Sequence, residues 1–182
     1  MSITAFENLV STAKRRMLIN NEKKTSIRLS DFTGIIPAIN GKIELVYEGE
    51  EQGADQISFN LINEGVKTIF LRFFPEISKL EKPNEATPYD KILTWFVENG
   101  TELFLGDEFT NKEYQDSLDE IKPLNELVKK YCKEINTEDV SFIKEVLLWG
   151  LSSFKKLSKN RMLDGIEFKD SLGSYLKNLN SD

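Results

Sequence analysis

Residues 28–75, with the sequence RLSDFTGIIPAINGKIELVYEGEEQGADQISFNLINEGVKTIFLRFFP, contain the pattern that decides the fold of this 182-residue chain. From Ala54 to Pro75 apolar residues recur at helical spacing, so we predict one long helix here. The positions on its apolar face are Ile57, Leu61, Ile62, Val66, Ile69, Phe70 and Phe73. Gly65 lies on the same face, which predicts the close approach of another helix.

The rest of the sequence also favours helices. Thr4 and Glu7 form a predicted capping box for a first helix that ends near Leu18, and Ser30 is a predicted N-cap for a short helix. In the second half we predict helices that begin at Pro88, Thr110 and Thr137, and a final helix after Gly165. We therefore expect an all-α chain, mainly a helical bundle, with at most one short strand or hairpin near residues 43–47.

Composition changes along the chain predict four parts. Residues 1–42 form a small helical element, and residues 43–75 form a crossing segment followed by the long helix. Residues 76–88 are polar and contain two of the five prolines, which is typical of a linker. Residues 89–182 form a C-terminal helical domain.

Composition also excludes several classes of function. The chain has no histidine and only one cysteine, Cys132, so we expect no imidazole catalysis, no zinc site and no disulfide. No metal-loop spacing is present among the acidic residues, and we predict no catalytic residue and no metal ligand. The N-terminus does not resemble a signal peptide and the apolar runs are short, which predicts a cytoplasmic protein with no membrane partner. The net charge of -6 argues against a nucleic-acid partner.

The sequence contains no phosphate-binding loop. Such a loop needs two glycines that frame four residues and then Lys with Ser or Thr, and Gly41-Lys42-Ile43 fails on both sides. We therefore predict no cofactor site in this chain and no enzymatic activity of the chain alone.

The first 75 residues resemble a known family. Ser2-Ile3-Thr4-Ala5, the helix that follows, the turn over 20–24 and the cap Leu29-Ser30-Asp31-Phe32 look like the helical lid of AAA+ ATPases of the magnesium-chelatase and MoxR-like group. These proteins are often described as predicted ATPases with chaperone activity. The segment GKIELVYEGE is similar to a subgroup signature.

The resemblance implies that the chain is the lid and post-lid, C-terminal region of such an ATPase, without its P-loop core. Its implied function is accessory and non-catalytic: lid motion and docking. The implied partners are the AAA+ core of the same protein, neighbouring ring subunits and a further protein partner, while ATP and Mg²⁺ are implied only for the missing core. The family's sensor-2 arginine aligns near Thr4, so Arg15 or Arg16 would have to act at a subunit junction; the alternative is that both face solvent.

Charge is distributed unevenly. Residues 1–42 hold seven cations and three anions, whereas residues 43–64 hold six anions and no cation. The acidic loop with Glu48, Glu50 and Glu51 is a candidate docking site for a basic surface, and its alternative interpretation is a solvent-facing connection.

Two other classes of function stay open. The chain could be a free-standing helical interaction or adaptor domain, or a helical protein that binds a small molecule in an aromatic pocket. The second class rests on six aromatic residues that could instead form core: Trp95, Phe96, Phe104, Phe109, Tyr114 and Trp149.

Overall fold

The computed structural model of the chain describes residues 2–42, 53–80, 86–99 and 102–171. Over these residues the chain is mainly helical, as predicted, and a small antiparallel sheet accompanies the helices. The segment 43–47, where a strand or hairpin was predicted, lies outside the described residues.

Helices make up the described part of the first half. They are α1 (Ser2–Ile19), a 3-10 helix (Leu29–Ile35), α2 (Ile36–Asn40), α3 (Gly53–Phe73) and α4 (Ile77–Leu80). The second half mixes helices with strands. Its elements are α5 (Asp90–Asn99), β1 (Leu103–Gly106), α6 (Asn111–Asp119), α7 (Lys122–Tyr131), a 3-10 turn (Thr137–Asp139), α8 (Val140–Ser153), β2 (Leu157–Arg161) and β3 (Gly165–Asp170).

The three strands correct the all-α expectation. They form one antiparallel sheet in the order β1-β3-β2, in which Leu105 lies opposite Ile166 and Lys159 lies opposite Phe168. The final helix predicted after Gly165 is wrong over Gly165–Asp170, because this segment is the central strand. Ile166 and Phe168 alternate with Glu167, and the sheet buries both apolar side chains against the helices.

Helix α8 lies at the centre of the fold. Nine consecutive residues, from Ile143 to Leu151, are buried, which means that every face of this helix section is covered. Helices α3, α6 and α7 and strand β2 all contact it. A helix covered on all sides organises the hydrophobic core rather than lining its edge.

A glycine allows α3 to approach α8 closely. A Cβ atom at Gly150 would lie 2.1 Å from Cδ2 of Phe70, so only glycine fits beneath this ring. The ring of Phe70 also packs against Phe74, Tyr89 and Phe154, with centroid distances of 5.4, 6.0 and 5.6 Å. The prediction that Gly65 is the close-approach glycine is wrong, because Gly65 is exposed and nothing lies within 4 Å of its Cβ position.

Local capping signals were partly correct. Thr110 and Glu113 form the predicted capping box at the start of α6. Helix α1 begins at Ser2, so Thr4 lies inside the helix and the box predicted with Glu7 is wrong. Ser30 lies within the 3-10 helix, and the carboxylate of Asp31 accepts the hydrogen bond from the backbone N–H of Arg28 at 2.9 Å.

One hydrophobic cluster contains buried residues from both halves of the chain. Leu29, Ile62 and Phe168 all belong to it, although they come from three of the four predicted parts. Ile77, within the predicted linker, is buried in the same cluster. The division into four parts stays a prediction, and the shared core is the observation against which it must be tested.

Among the described helices, none is long and apolar enough to cross a membrane. The same part of the chain contains no group of three or more His, Cys, Asp or Glu residues that could hold a metal ion.

Candidate docking surface

The inner face of α1 is fixed by a buried ion pair. The guanidinium of Arg16 donates to both carboxylate oxygens of Asp31, at 3.2 and 2.8 Å, and further to Thr25 and to the carbonyl of Ser26. Both charged side chains are almost fully buried, at 4% and 3% exposure. Because the pair is bidentate and both groups are enclosed, it holds α1 against the 3-10 helix in one orientation.

Arg28 joins the N-terminal segment to the second half. Its guanidinium donates to the carbonyl of Phe109 at 2.7 Å and to Oδ1 of Asn111 at 3.1 Å, and it lies 4.3 Å from the ring centre of Tyr114. Burial, and then the nearby Arg16 charge, lower the pKa of Arg28 to about 10, so it remains a cation at neutral pH.

Glu145 completes this buried network from the centre of α8. One carboxylate oxygen accepts hydrogen bonds from the backbone N–H of Leu29 at 2.8 Å and from the hydroxyl of Tyr114 at 2.5 Å. Burial raises the pKa of Glu145 to about 7, against the opposing effects of these hydrogen bonds and of Arg28. Burial and the neighbouring Glu145 also raise the pKa of Tyr114 well above its ordinary value, so its hydroxyl stays a donor.

The N-terminal end of α1 carries exposed apolar side chains. Ile3 is 74% exposed and Phe6 is 63% exposed, and Val10 continues the row at half-burial. Their spacing of three and four residues places them on one side of the helix. We call Ile3, Phe6 and Val10 the α1 stripe. An isolated exposed apolar residue is ordinary, and two of them in one row make the α1 stripe a candidate contact surface.

The structure separates the two arginines that the sequence paired. Arg15 is exposed, whereas Arg16 is the buried partner of Asp31. The predicted docking residues Glu48, Glu50 and Glu51 lie outside the described residues. Thr4 is exposed on α1.

A second surface feature is an open groove of about 680 Å³ between the N-terminal segment and the start of α8. Its floor contains the rings of Phe32, Phe73 and Phe142, and Phe32 stacks on Phe142 with 6.5 Å between ring centres. Its rim carries the exposed acids Glu134, Glu138 and Asp139. Nothing in the sequence periodicity indicated this groove, because its lining comes from four separate segments.

The six aromatics that could form either a pocket or core have mostly structural roles. Phe96, Tyr114 and Trp149 are buried in the core, and Trp95 and Phe109 pack against it. Phe104 packs edge-on against Phe109 at 5.8 Å. Tyr114 also lines a small cleft of about 180 Å³. The large groove thus uses a different set of aromatic residues from the one the sequence suggested.

Lys159 is a partly buried cation that sequence reasoning missed. Its Nζ lies 3.5 Å from the ring centre of Trp149 and donates to Oδ1 of Asn63 at 2.8 Å, and burial lowers the pKa of Lys159 to about 7. Trp149 donates to the same oxygen of Asn63 at 2.7 Å. These contacts join β2, α3 and α8.

Burial raises the pKa of the Cys132 thiol, whereas a reactive cysteine needs a lowered pKa to form the thiolate.

Comparison with models of known protein families, with curated proteins and with solved structures found no match to this chain.

Proposed function

We propose that this chain is a non-catalytic C-terminal accessory region of an AAA+ ATPase, which follows the nucleotide cycle by lid motion and docks on the ATPase core, a neighbouring ring subunit or a partner protein. The observation that carries this proposal is the α1 stripe. Ile3 and Phe6 face solvent on the helix that resembles a lid helix, and a lid helix needs an apolar face to pack against the rest of its ATPase.

The energetics support a docking role for the α1 stripe. Burying a side chain such as Ile3 or Phe6 contributes about 1.5–3 kcal/mol. The Arg16–Asp31 ion pair holds the last turn of the same helix, so little ordering is needed when a partner covers the stripe. A rigid apolar helix face is suited to transmit motion between packed elements.

In this proposal the partner, and not this chain, binds and hydrolyses ATP. The sequence has no phosphate loop and no histidine, so ATP and Mg²⁺ would be bound by a separate P-loop core. Arg15, exposed on α1, is the arginine that could reach a neighbouring subunit in such an assembly. The proposed setting is the cytoplasm, where such a ring would meet ATP.

Two measurements test this proposal. Purified chain given ATP and Mg²⁺ should show no turnover and no thermal shift. Immobilised chain should capture a P-loop AAA+ protein, identified by mass spectrometry, from a lysate of the native cells.

A matched pair of variants tests whether the α1 stripe makes the contact. Phe6→Glu should lose the captured ATPase, whereas Leu163→Glu should retain it, because Leu163 is a fully exposed apolar residue in the β2–β3 turn. ATP hydrolysis by the chain alone, or equal capture by both variants, would contradict the proposal.

The alternative is a free-standing helical adaptor domain. The same α1 stripe supports it, and capture of a protein without a P-loop, lost in Phe6→Glu, would favour it. A third candidate, a small-molecule-binding helical protein, is supported by the volume of the groove, which lies within the range of about 300–1,000 Å³ typical of ligand clefts.

A further inference from the structure

We propose that the groove between the N-terminal segment and α8 binds a basic amphipathic helix from a partner protein. This site goes beyond the α1 stripe, since neither Ile3 nor Phe6 lines the groove. The occupant is defined by two features on the surface itself: an apolar floor and a rim of one charge.

The floor offers sites for large apolar side chains. Phe32, Phe73 and Phe142 come from the 3-10 helix, α3 and α8, and Leu9 and Ile135 extend the apolar surface on either side. The stacked rings of Phe32 and Phe142 belong to the surroundings of the main core, so the floor is preformed. A preformed apolar groove is the receptor in the helix-in-groove mode of peptide recognition, where residues at i, i+3, i+4 and i+7 fill it.

The negative charge of the rim favours a positively charged partner. Glu134, Glu138 and Asp139 line the groove, and no lysine or arginine among the described residues lines it. Within the part of the chain that the structure describes, neither Glu134 nor Glu138 has a salt-bridge partner. Asp139 accepts a long hydrogen bond of 3.5 Å from Asn136. Lysines or arginines along the polar side of a bound helix would complement these carboxylates and set its orientation.

The charge of the rim also argues against segment 43–52 of the same chain as the occupant. That segment carries four glutamates and no cation, so the rim would repel it. A cationic partner on a separate chain is the occupant that both the floor and the rim favour.

The test uses two synthetic helical peptides of about 18 residues, or five turns. One places Leu on one face and Lys on the other, with a fluorescent label, and the second replaces every Lys by Glu. The Lys peptide should bind the wild-type chain in a fluorescence anisotropy titration, and the Glu peptide should not. Binding of both peptides, or of neither, would overturn the proposal.

Charge reversal locates the binding site. Glu134→Lys/Glu138→Lys should weaken binding of the Lys peptide by about tenfold, which corresponds to about 1.4 kcal/mol. Glu98→Lys/Asp116→Lys, at two exposed positions outside the groove, changes the net charge equally and should leave affinity within about twofold. Equal weakening by both double variants would mean attraction to the net negative chain only, and no weakening by either would place binding elsewhere.

A photo-crosslink gives an independent location. A benzophenone at one apolar position of the Lys peptide should form adducts in the segments that line the groove, residues 9, 25–32, 73 and 134–143, and adducts confined to segments outside this lining would overturn the proposal. Phe6→Glu should bind the Lys peptide as the wild type does, so failure of the α1 stripe as a docking site and failure of the groove are separately visible.

Discussion

At the scale of single residues, the main feature of this protein is a set of buried charged side chains. Arg16, Arg28, Asp31 and Glu145 are all nearly inaccessible to solvent, yet each has hydrogen-bond partners. Enclosed charges are costly unless paired, so removal of one partner should cost far more than removal of an exposed charge. Their pairing also fixes which surface of the N-terminal segment remains free.

Arg16→Met tests this difference against its neighbour Arg15→Met. Loss of the Arg16 guanidinium leaves Asp31 buried without its cation, and we expect the free energy of unfolding to fall by about 3–5 kcal/mol. Arg15 is exposed, and its replacement should change stability by less than about 0.5 kcal/mol. Urea denaturation followed by circular dichroism measures both values, and similar losses for the two variants would refute the buried ion pair.

Glu145 should give stability a distinct pH dependence. Its pKa is raised from 4.5 to about 7, so between these values the folded chain keeps a proton that the unfolded chain releases. Stability from this group therefore falls as pH rises from about 4.5 to 7, by roughly 2–3 kcal/mol. Glu145→Gln should remove this fall in denaturation curves measured from pH 5 to 8, while the exposed Glu120→Gln should keep it.

Lys159 contributes a second pH dependence, in the window above pH 7. Its pKa is lowered from 10.5 to about 7, so in this window the stability contributed by Lys159 rises with pH.

At the scale of elements, helices α3 and α8 form the central contact, and two glycines allow a direct test of it. Gly150→Ala places a Cβ against the Phe70 ring and should destabilise the chain by about 1–3 kcal/mol. Gly65→Ala adds the same methyl group on the exposed side of α3 and should stabilise by about 0.5–1 kcal/mol, because alanine restricts the unfolded chain and favours helix. Thermal unfolding of both variants checks the opposite signs, and a gain from Gly150→Ala would refute the close approach.

The sequence predicted elements where the apolar spacing was long and regular. Helix α3 and helix α8 followed from this spacing, and the Thr110–Glu113 box marked the start of α6. The sheet was not predicted from the sequence, because its strands are four to six residues long and β2 contains one apolar residue, Leu157. Only Ile166 and Phe168 gave a period-two signal, and it was too short to outweigh the helical interpretation.

The buried network could not be predicted for a different reason. Leu29 and Glu145 meet across 116 residues of sequence, and nothing local links them. Glu145 is not among the apolar positions that recur at helical spacing in α8, such as Ile143 and Leu147, so the spacing gives no sign of its burial. Because α8 is covered on all sides, this position is enclosed. Side chains that pair over such distances depend on the tertiary structure alone.

At the scale of the whole molecule, Arg28 and the shared core connect the helical N-terminal segment to the mixed second half. Arg28 contacts Phe109, Asn111 and Tyr114, while Leu29 lies in the same hydrophobic cluster as α8. An N-terminal segment held this firmly would move together with the second half. Under the proposed function, motion relative to a partner would then occur at the α1 stripe.

We expect the chain to unfold as one cooperative unit. Because a single cluster spans residues 29–168, two signals should change at the same urea concentration. They are the fluorescence of Trp95 and Trp149 in the second half and the far-ultraviolet circular dichroism of all helices.

Hydrogen exchange should show that α1 is protected and that Arg28→Met reduces this protection, because the substitution removes the contacts to Phe109 and Asn111. The exposed Lys112→Met on α6 serves as the control and should leave α1 protection unchanged. Two separate urea transitions, with α1 lost first in the wild type, would instead support the four-part division predicted from composition.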